Sequence, residues 1–287
     1  MKNQGLSRRT ALVAAGAGLG ALALGRASAE EGEYKIKGNI NQSVSKWCYK
    51  MSLEELCVAA KKIGYKSIEL LGPKDIPTVK KHGLTCAMLS SGGGSISDAF
   101  NRKENHDKLE QSVKEGIDCA AENELPNLIV MSGNRKGMSD EEGAANCVLG
   151  LKRVAGYAEQ KKVTLCLELL NSKVNHKDYM ADHTAWGVDV CKKIGSPRMK
   201  LLYDIYHMQI MEGDLIATIK ANIEYLGHFH TGGVPGRAEI DETQEINYPA
   251  VMKAIVETGY KGFVGQEFVP KRDPLKSLEQ AFRICDV

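Results

Sequence analysis

The chain has no Cys-x-x-Cys pair and no cluster of basic residues, and beyond its first thirty residues it has no long apolar run. Each absence removes a class of function. Eight cysteines without close spacing argue against a cysteine metal site. Four of them (Cys57, Cys119, Cys147, Cys191) fall in helix-like segments, and Cys86 and Cys166 in strand-like ones, so free thiols are expected rather than a disulfide framework. A bilayer span needs about 20 consecutive apolar residues, so no later segment reads as a membrane helix. Without a basic patch, the electrostatic footprint of a nucleic-acid binder is missing.

The N-terminus carries an address instead. Ser7-Arg8-Arg9 precedes an apolar, Ala/Gly-rich run from Ala11 to Gly25, and Ala27-Ser28-Ala29 follows as an A-x-A cleavage site. Residues 1–29 therefore read as a twin-arginine export signal, cleaved after Ala29. It implies the Tat translocase as a partner during export and a periplasmic or extracytoplasmic location, with a membrane-anchored form if the signal stays uncleaved. Lys2, Arg8, Arg9 and Arg26 lie in this segment, which has no acids. The formal charge of +2 thus becomes −2 for residues 30–287. Their length is close to the typical size of about 250 residues for an eight-stranded α/β barrel.

Strand-like and helix-like runs alternate along those residues. The expected strands are Gly38–Val44, Ser67–Leu70, Leu84–Leu89, Leu128–Met131, Val163–Leu170, Lys200–Asp204, Tyr225–His230 and Phe263–Glu267. Ser52 and Glu55 form a capping box at the start of a first helix, whose apolar positions Leu53, Leu56, Cys57, Ala60 and Ile63 have helical spacing. Further helices are expected at His106–Asn123, Glu141–Lys161, Thr184–Ile194, Gly213–Ala221, Val251–Glu257 and about Pro274 to Cys285. Near-continuous apolar strands alternating with helices indicate a parallel sheet buried on both faces. Eight such repeats close it into a single (β/α)8 TIM barrel over residues 30–287.

Four of the apolar runs carry a polar residue near their ends: Glu168 in VTLCLELL, Asp204 in LLYDI, His230 in LGHFH and Glu267 in FVGQEF. A carboxylate buried in an apolar strand costs several kcal/mol, on the order of the usual burial penalty, unless it is paired or bound to a cation. Barrel active sites lie at the C-terminal ends of strands, where all four fall. Alternation places Glu168 on the face of Cys166 and His230 on the face of His228, toward the barrel mouth. Three carboxylates and one imidazole form a hard, oxygen-rich site for one divalent cation, Mn²⁺ or Mg²⁺ first, with Zn²⁺ or Co²⁺ as alternatives. The competing reading is that these residues cap the following helices or pair with Lys and Arg.

The stretches LELLNS (Leu167–Ser172), YDIYHMQ (Tyr203–Gln209), HFHTGGVPGR (His228–Arg237), EINYPAV (Glu245–Val251) and GQEFVP (Gly265–Pro270) resemble the hydroxypyruvate isomerase family of the xylose isomerase-like barrels. The resemblance implies metal ligands at Glu168, Asp204, His230 and Glu267, with Glu168 and Glu267 also the catalytic acid/base pair. It implies that His207 and Arg237 bind substrate oxygens or a carboxylate. The reaction implied is conversion of hydroxypyruvate to tartronate semialdehyde through an ene-diolate. One departure stands out: many members of that family have Gln where His230 stands, and related sugar epimerases have His.

The residue types suit this chemistry. Aldose–ketose interconversion removes a proton next to a carbonyl, and the ene-diolate needs a cation across its two oxygens. One carboxylate takes the proton and the other returns it to the neighbouring carbon. Weaker candidates stand beside the main set. Glu69 either supports the site or caps a helix at the surface. His176 reads as a solvated loop histidine first, with a place at the pocket entrance as the alternative, His228 as a hydrogen-bonded core residue, and Trp47 and Tyr49 as pocket wall or packing. Gly92–Gly94 in SSGGGS reads as a flexible loop near the mouth, and the alternative reading of Arg237 is a salt bridge to Glu239 or Asp241.

Three other functions remain open. An exported isomerase or epimerase would act on a neutral or oxidised sugar. A metal-dependent endonuclease would need more His and Asp ligands and a basic groove, against which the −2 charge and the seven histidines argue. A non-catalytic sugar-binding barrel would not need all four ligands. The partner is a small hydroxy-keto acid or sugar rather than nucleic acid, and homo-oligomerisation is left open.

Overall fold

The computed structural model describes residues 34–287. The export signal read at 1–29 lies outside the described residues. Seven parallel strands form one sheet: β1 (Asn41–Ser45), β2 (Ser67–Glu69), β3 (Asn127–Val130), β4 (Thr164–Glu168), β5 (Met199–Asp204), β6 (Leu226–Thr231) and β7 (Phe263–Gln266). Their order is β2-β1-β7-β6-β5-β4-β3, so every neighbour pair from β3 to β7 is consecutive in sequence and β1 joins β7.

The expected strand at Leu84–Leu89 forms no continuous ladder, and this corrects the count of eight. It still closes the ring. Ile68 N donates to Thr85 O at 3.1 Å and Leu70 N to Met88 O at 2.9 Å on one side. Leu89 N donates to Asn127 O at 2.9 Å and Ile129 N to Leu89 O at 3.1 Å on the other. Side chains replace the missing middle rungs. Ala87 N donates to Ser67 Oγ and Asn127 Nδ2 donates to Ala87 O, each at 2.8 Å. Backbone rungs at the two ends and side-chain bonds in the middle thus share the pairing of this segment, as buried backbone groups need partners.

Helices follow the strands: α1 (Leu53–Ile63), α2 (Ile76–Lys81), α3 (His106–Glu122), α4 (Asp140–Lys161), α5 (Thr184–Ile194), α6 (Ile205–Met211), α7 (Leu215–Asn222), α8 (Tyr248–Glu257) and α9 (Pro274–Cys285). The Ser52–Glu55 capping box forms, with Glu55 N on Ser52 Oγ at 3.2 Å and Ser52 N on Glu55 Oε2 at 2.9 Å. Two short helices, α2 and α6, escape the periodicity reading because fewer than three turns show no clear 3.6-residue repeat. α8 starts at Tyr248, with Pro249 in its first turn and the Asn247 side chain as its cap.

Two apolar layers result. The larger packs the helices against the outside of the sheet, and a smaller one of Met88, Ile129, Cys166 and Leu202 fills the inside, with Leu70 and Met131 against it. All eight cysteines are free. No helix among the described residues is long and apolar enough to cross a membrane.

Candidate active site

Four consecutive strands carry the four polar residues to one place. Glu168 ends β4, Asp204 ends β5, His230 lies next to the last residue of β6, and Glu267 follows β7 directly. The parallel register sets Asp204 beside His230, and His230 beside Gly265 two residues before Glu267. One ligand atom from each lies within 4.8 Å of the others, and all four side chains are buried. Inside the barrel, Glu168 stands two residues beyond Cys166 and Asp204 two beyond Leu202, one pleat above the apolar layer.

Arg237 is the cation among these carboxylates. Its Nη2 lies 2.6 Å from Glu267 Oε2 and 3.4 Å from Asp204 Oδ2. The alternative partners Glu239 and Asp241 are taken instead by Arg272. The guanidinium sits between Trp47, 5.1 Å from its ring centroid, and Tyr206, at 5.6 Å. Trp47 Nε1 also donates to Glu267 Oε1 at 2.7 Å, so Trp47 belongs to the site. Tyr49 is buried beside it as packing.

The local charges pull the carboxylates apart. Burial would raise Glu267, but Arg237 and His230 outweigh it and hold the group well below the usual carboxylate range. Burial, reinforced by Glu267, raises Glu168. Burial likewise lifts Asp204 to about 7, against the pull of Arg237. Asp204 also caps α6, accepting from His207 N at 3.0 Å. The helix-capping reading thus holds for Asp204 alongside its place in the cluster.

His207 is wholly buried, and its Nδ1 receives the Asn171 backbone N–H at 3.2 Å. The neutral ring therefore carries its proton on Nε2. That atom is buried without a hydrogen-bond partner, 3.6 Å from Asp204 Oδ2. Burial holds the ring well below the ordinary imidazole value, so it stays neutral. Asn171 was not singled out from sequence; its position three residues after Glu168 is the signal that pointed to it.

Three weaker candidates change standing. His176 is no solvated loop histidine: it lines the cavity, with Nε2 buried and unpartnered and its ring 5.2 Å from that of His207. Glu69 is fully buried, its Oε1 2.7 Å from His230 Nε2 and 3.1 Å from His228 Nε2. His228 is the hydrogen-bonded core residue expected. Gly92–Gly94 is a tightly packed turn, since a Cβ on Gly93 would meet Ile129 O at 2.0 Å and one on Gly92 would meet Ser112 O at 2.2 Å.

A cavity of about 340 Å³ opens over the cluster. Glu168, Glu267, Arg237 and His176 form its polar side, and Leu70, Ile96, Ile129, Met131 and Leu170 its apolar side. The residues present fit a divalent cation. Three buried carboxylates face a single guanidinium, and His230 Nδ1 is buried without a hydrogen-bond partner although Glu267 Oε2 is 2.9 Å away. The donor atoms are mostly hard oxygens, as such a cation prefers.

A putative hydroxypyruvate isomerase from Homo sapiens is 30% identical over 172 residues, covering 59% of this chain and 62% of that protein. A 2-oxo-tetronate isomerase from Cupriavidus necator is 34% identical over 117 residues, covering 41% and 44%. The chain thus spans less than two thirds of the length of each. Among solved structures, an AP endonuclease, family 2, from Brucella melitensis superposes with a TM-score of 0.73 at 24% identity, over 83% of this chain and 97% of that one, which shows a shared fold. The xylose isomerase-like TIM barrel family matches residues 57–285, and the chain belongs to that family.

Proposed function

We propose that the chain is a divalent-metal-dependent isomerase that shifts a carbonyl between adjacent carbons of a small hydroxy-keto acid, with hydroxypyruvate to tartronate semialdehyde as the leading reaction. The observation that carries this reading is the pair Glu168 and Glu267, buried together with Asp204 and His230 in one four-residue cluster at the mouth of the barrel. Paired groups of this kind divide into base and acid. One of the two removes the proton next to the carbonyl, and the other returns one to the neighbouring carbon. Glu168, Asp204, His230 and Glu267 would hold the cation, Mn²⁺ or Mg²⁺ before Zn²⁺ or Co²⁺. A cation held there would stabilise the negative charge that develops on the substrate. His207 Nε2–H donates to a substrate oxygen, and Arg237 forks onto a substrate carboxylate.

A second reading, an isomerase or epimerase of a sugar met outside the cytoplasm, is favoured by the apolar side of the cavity and its volume of about 340 Å³. Cavities of about 300 Å³ and upward hold ligands well beyond three carbons. The export signal at 1–29 supports the same reading, because an exported enzyme would rarely meet hydroxypyruvate.

Metal analysis of the purified protein, joined to solvent-deuterium exchange into a panel of ketoses and hydroxy-keto acids, tests both. One divalent ion per chain and chelator-sensitive deuterium incorporation are expected. Two or three ions with DNA cleavage would point to an endonuclease. No ion and no exchange would point to a binding protein.

A further inference from the structure

We propose that Glu69 is a positioning residue that locks His230 in the one tautomer able to offer Nδ1 to the cation; the inference rests on the metal-centre reading above. Glu69 is the last residue of β2, on the far side of β1 and β7 from His230. Its Oε1 lies 2.7 Å from His230 Nε2 and 3.1 Å from His228 Nε2. An ionised carboxylate only accepts, so both Nε2 atoms carry hydrogens. Once the ring gives up its second proton to take a cation, its lone pair is therefore on Nδ1, the nitrogen that stands 2.9 Å from Glu267 Oε2 and 3.7 Å from Glu168 Oε1.

The surroundings are built for this contact. A Cβ on Gly265 would come within 1.9 Å of Glu69 Oε1 and 2.9 Å of His230 Cδ2, so only glycine lets the carboxylate and the ring meet there. Ser45, paired with Glu69 in the sheet, places its hydroxyl 3.5 Å from Oε1. His228 stands edge-on to His230, with ring centroids 5.0 Å apart. A carboxylate that holds the outer nitrogen of a ligating histidine fixes its orientation and raises its basicity. Without it, the proton can move to Nδ1, and the ring presents N–H where the cation needs a lone pair.

Two variants test the role. Glu69→Gln keeps the volume but removes the charge and one acceptor, and Glu69→Asp keeps the charge but withdraws it by one methylene. Manganese binding to metal-free protein is followed by calorimetry, and the His230 tautomer by nitrogen-15 NMR. Glu69→Gln should weaken Mn²⁺ binding about 10- to 100-fold, the usual effect of losing such a partner. It should also move proton density to Nδ1, while the metal-free protein still melts cooperatively. Glu69→Asp should fall between that variant and wild type, and decides the question if the glutamine variant does not fold. Wild-type affinity with the proton still on Nε2 in a folded variant overturns the role of Glu69 and leaves the metal centre standing. A wild-type protein that binds no divalent ion overturns the metal-centre reading and this inference with it.

Discussion

Glu267 and Arg237 lie against each other within the cluster. Glu267 receives Trp47 Nε1 and Arg237 Nη2, at 2.7 and 2.6 Å. Glu267→Gln preserves the shape but cannot carry the proton, so kcat should fall about 10²- to 10⁴-fold, the usual worth of general acid–base catalysis. Metal binding should weaken as well; near-normal turnover with metal bound would remove Glu267 from the acid/base pair. Arg237→Lys keeps the charge and loses the fork. For an acid substrate KM should rise by about 1.5–3 kcal/mol, the range for hydrogen bonds to charged groups. A neutral ketose should be affected much less. Comparing the two substrates decides which reading holds, and equal small effects would make Arg237 structural.

At the scale of elements, the buried carboxylate of Asp182 ties loops above the strands to one another. Asp182, after β4, receives Arg135 Nη2 from the β3–α4 loop at 3.0 Å and Ser172 Oγ at 2.5 Å. Burial raises Asp182, but Arg135, Ser172 and His183 outweigh it and leave the carboxyl below its ordinary value. A lowered folded value means that the group binds protons less readily in the native state. Its stabilisation is therefore full above the unfolded value of about 3.9 and is lost as pH falls through the folded one. Acid denaturation of wild type should show this loss below about pH 4, and Asp182→Asn, less stable at pH 7, should lack that part of the acid slope. A parallel slope in the variant would assign the acid sensitivity elsewhere.

For the whole molecule, the cation links the site to stability. Four strands each contribute one buried polar residue to the cluster, so an ion that binds only the folded chain should stabilise all four together. Saturation at about 100 times the Kd adds about 2.7 kcal/mol. Thermal melts should therefore shift upward with Mn²⁺ and back with a chelator, while the far-ultraviolet signal of the native state stays unchanged. A melting temperature indifferent to every divalent ion would argue against a site shared by these strands.

The sequence by itself determined the alternation of strands and helices, and therefore the barrel, because near-continuous apolar strands need both faces covered. It also placed Glu168, Asp204, His230 and Glu267 at strand ends, where a barrel gathers them. Tertiary structure alone decided what lies between elements far apart in the chain. Leu84–Leu89 has the composition of a strand but closes the ring through Ser67 and Asn127 side chains, which no local pattern encodes. Glu69 and His230 are 161 residues apart, and Glu69 could be read equally as a surface cap until β2 was set against β6 across the barrel. His176 looked solvated because its neighbours are polar; Asn171, whose side chain accepts Val174 N and Asn175 N, turns the loop so that His176 lines the cavity beside His207. Periodicity and burial act along the chain and are visible in it, whereas the partner of a buried polar atom depends on how distant elements pack.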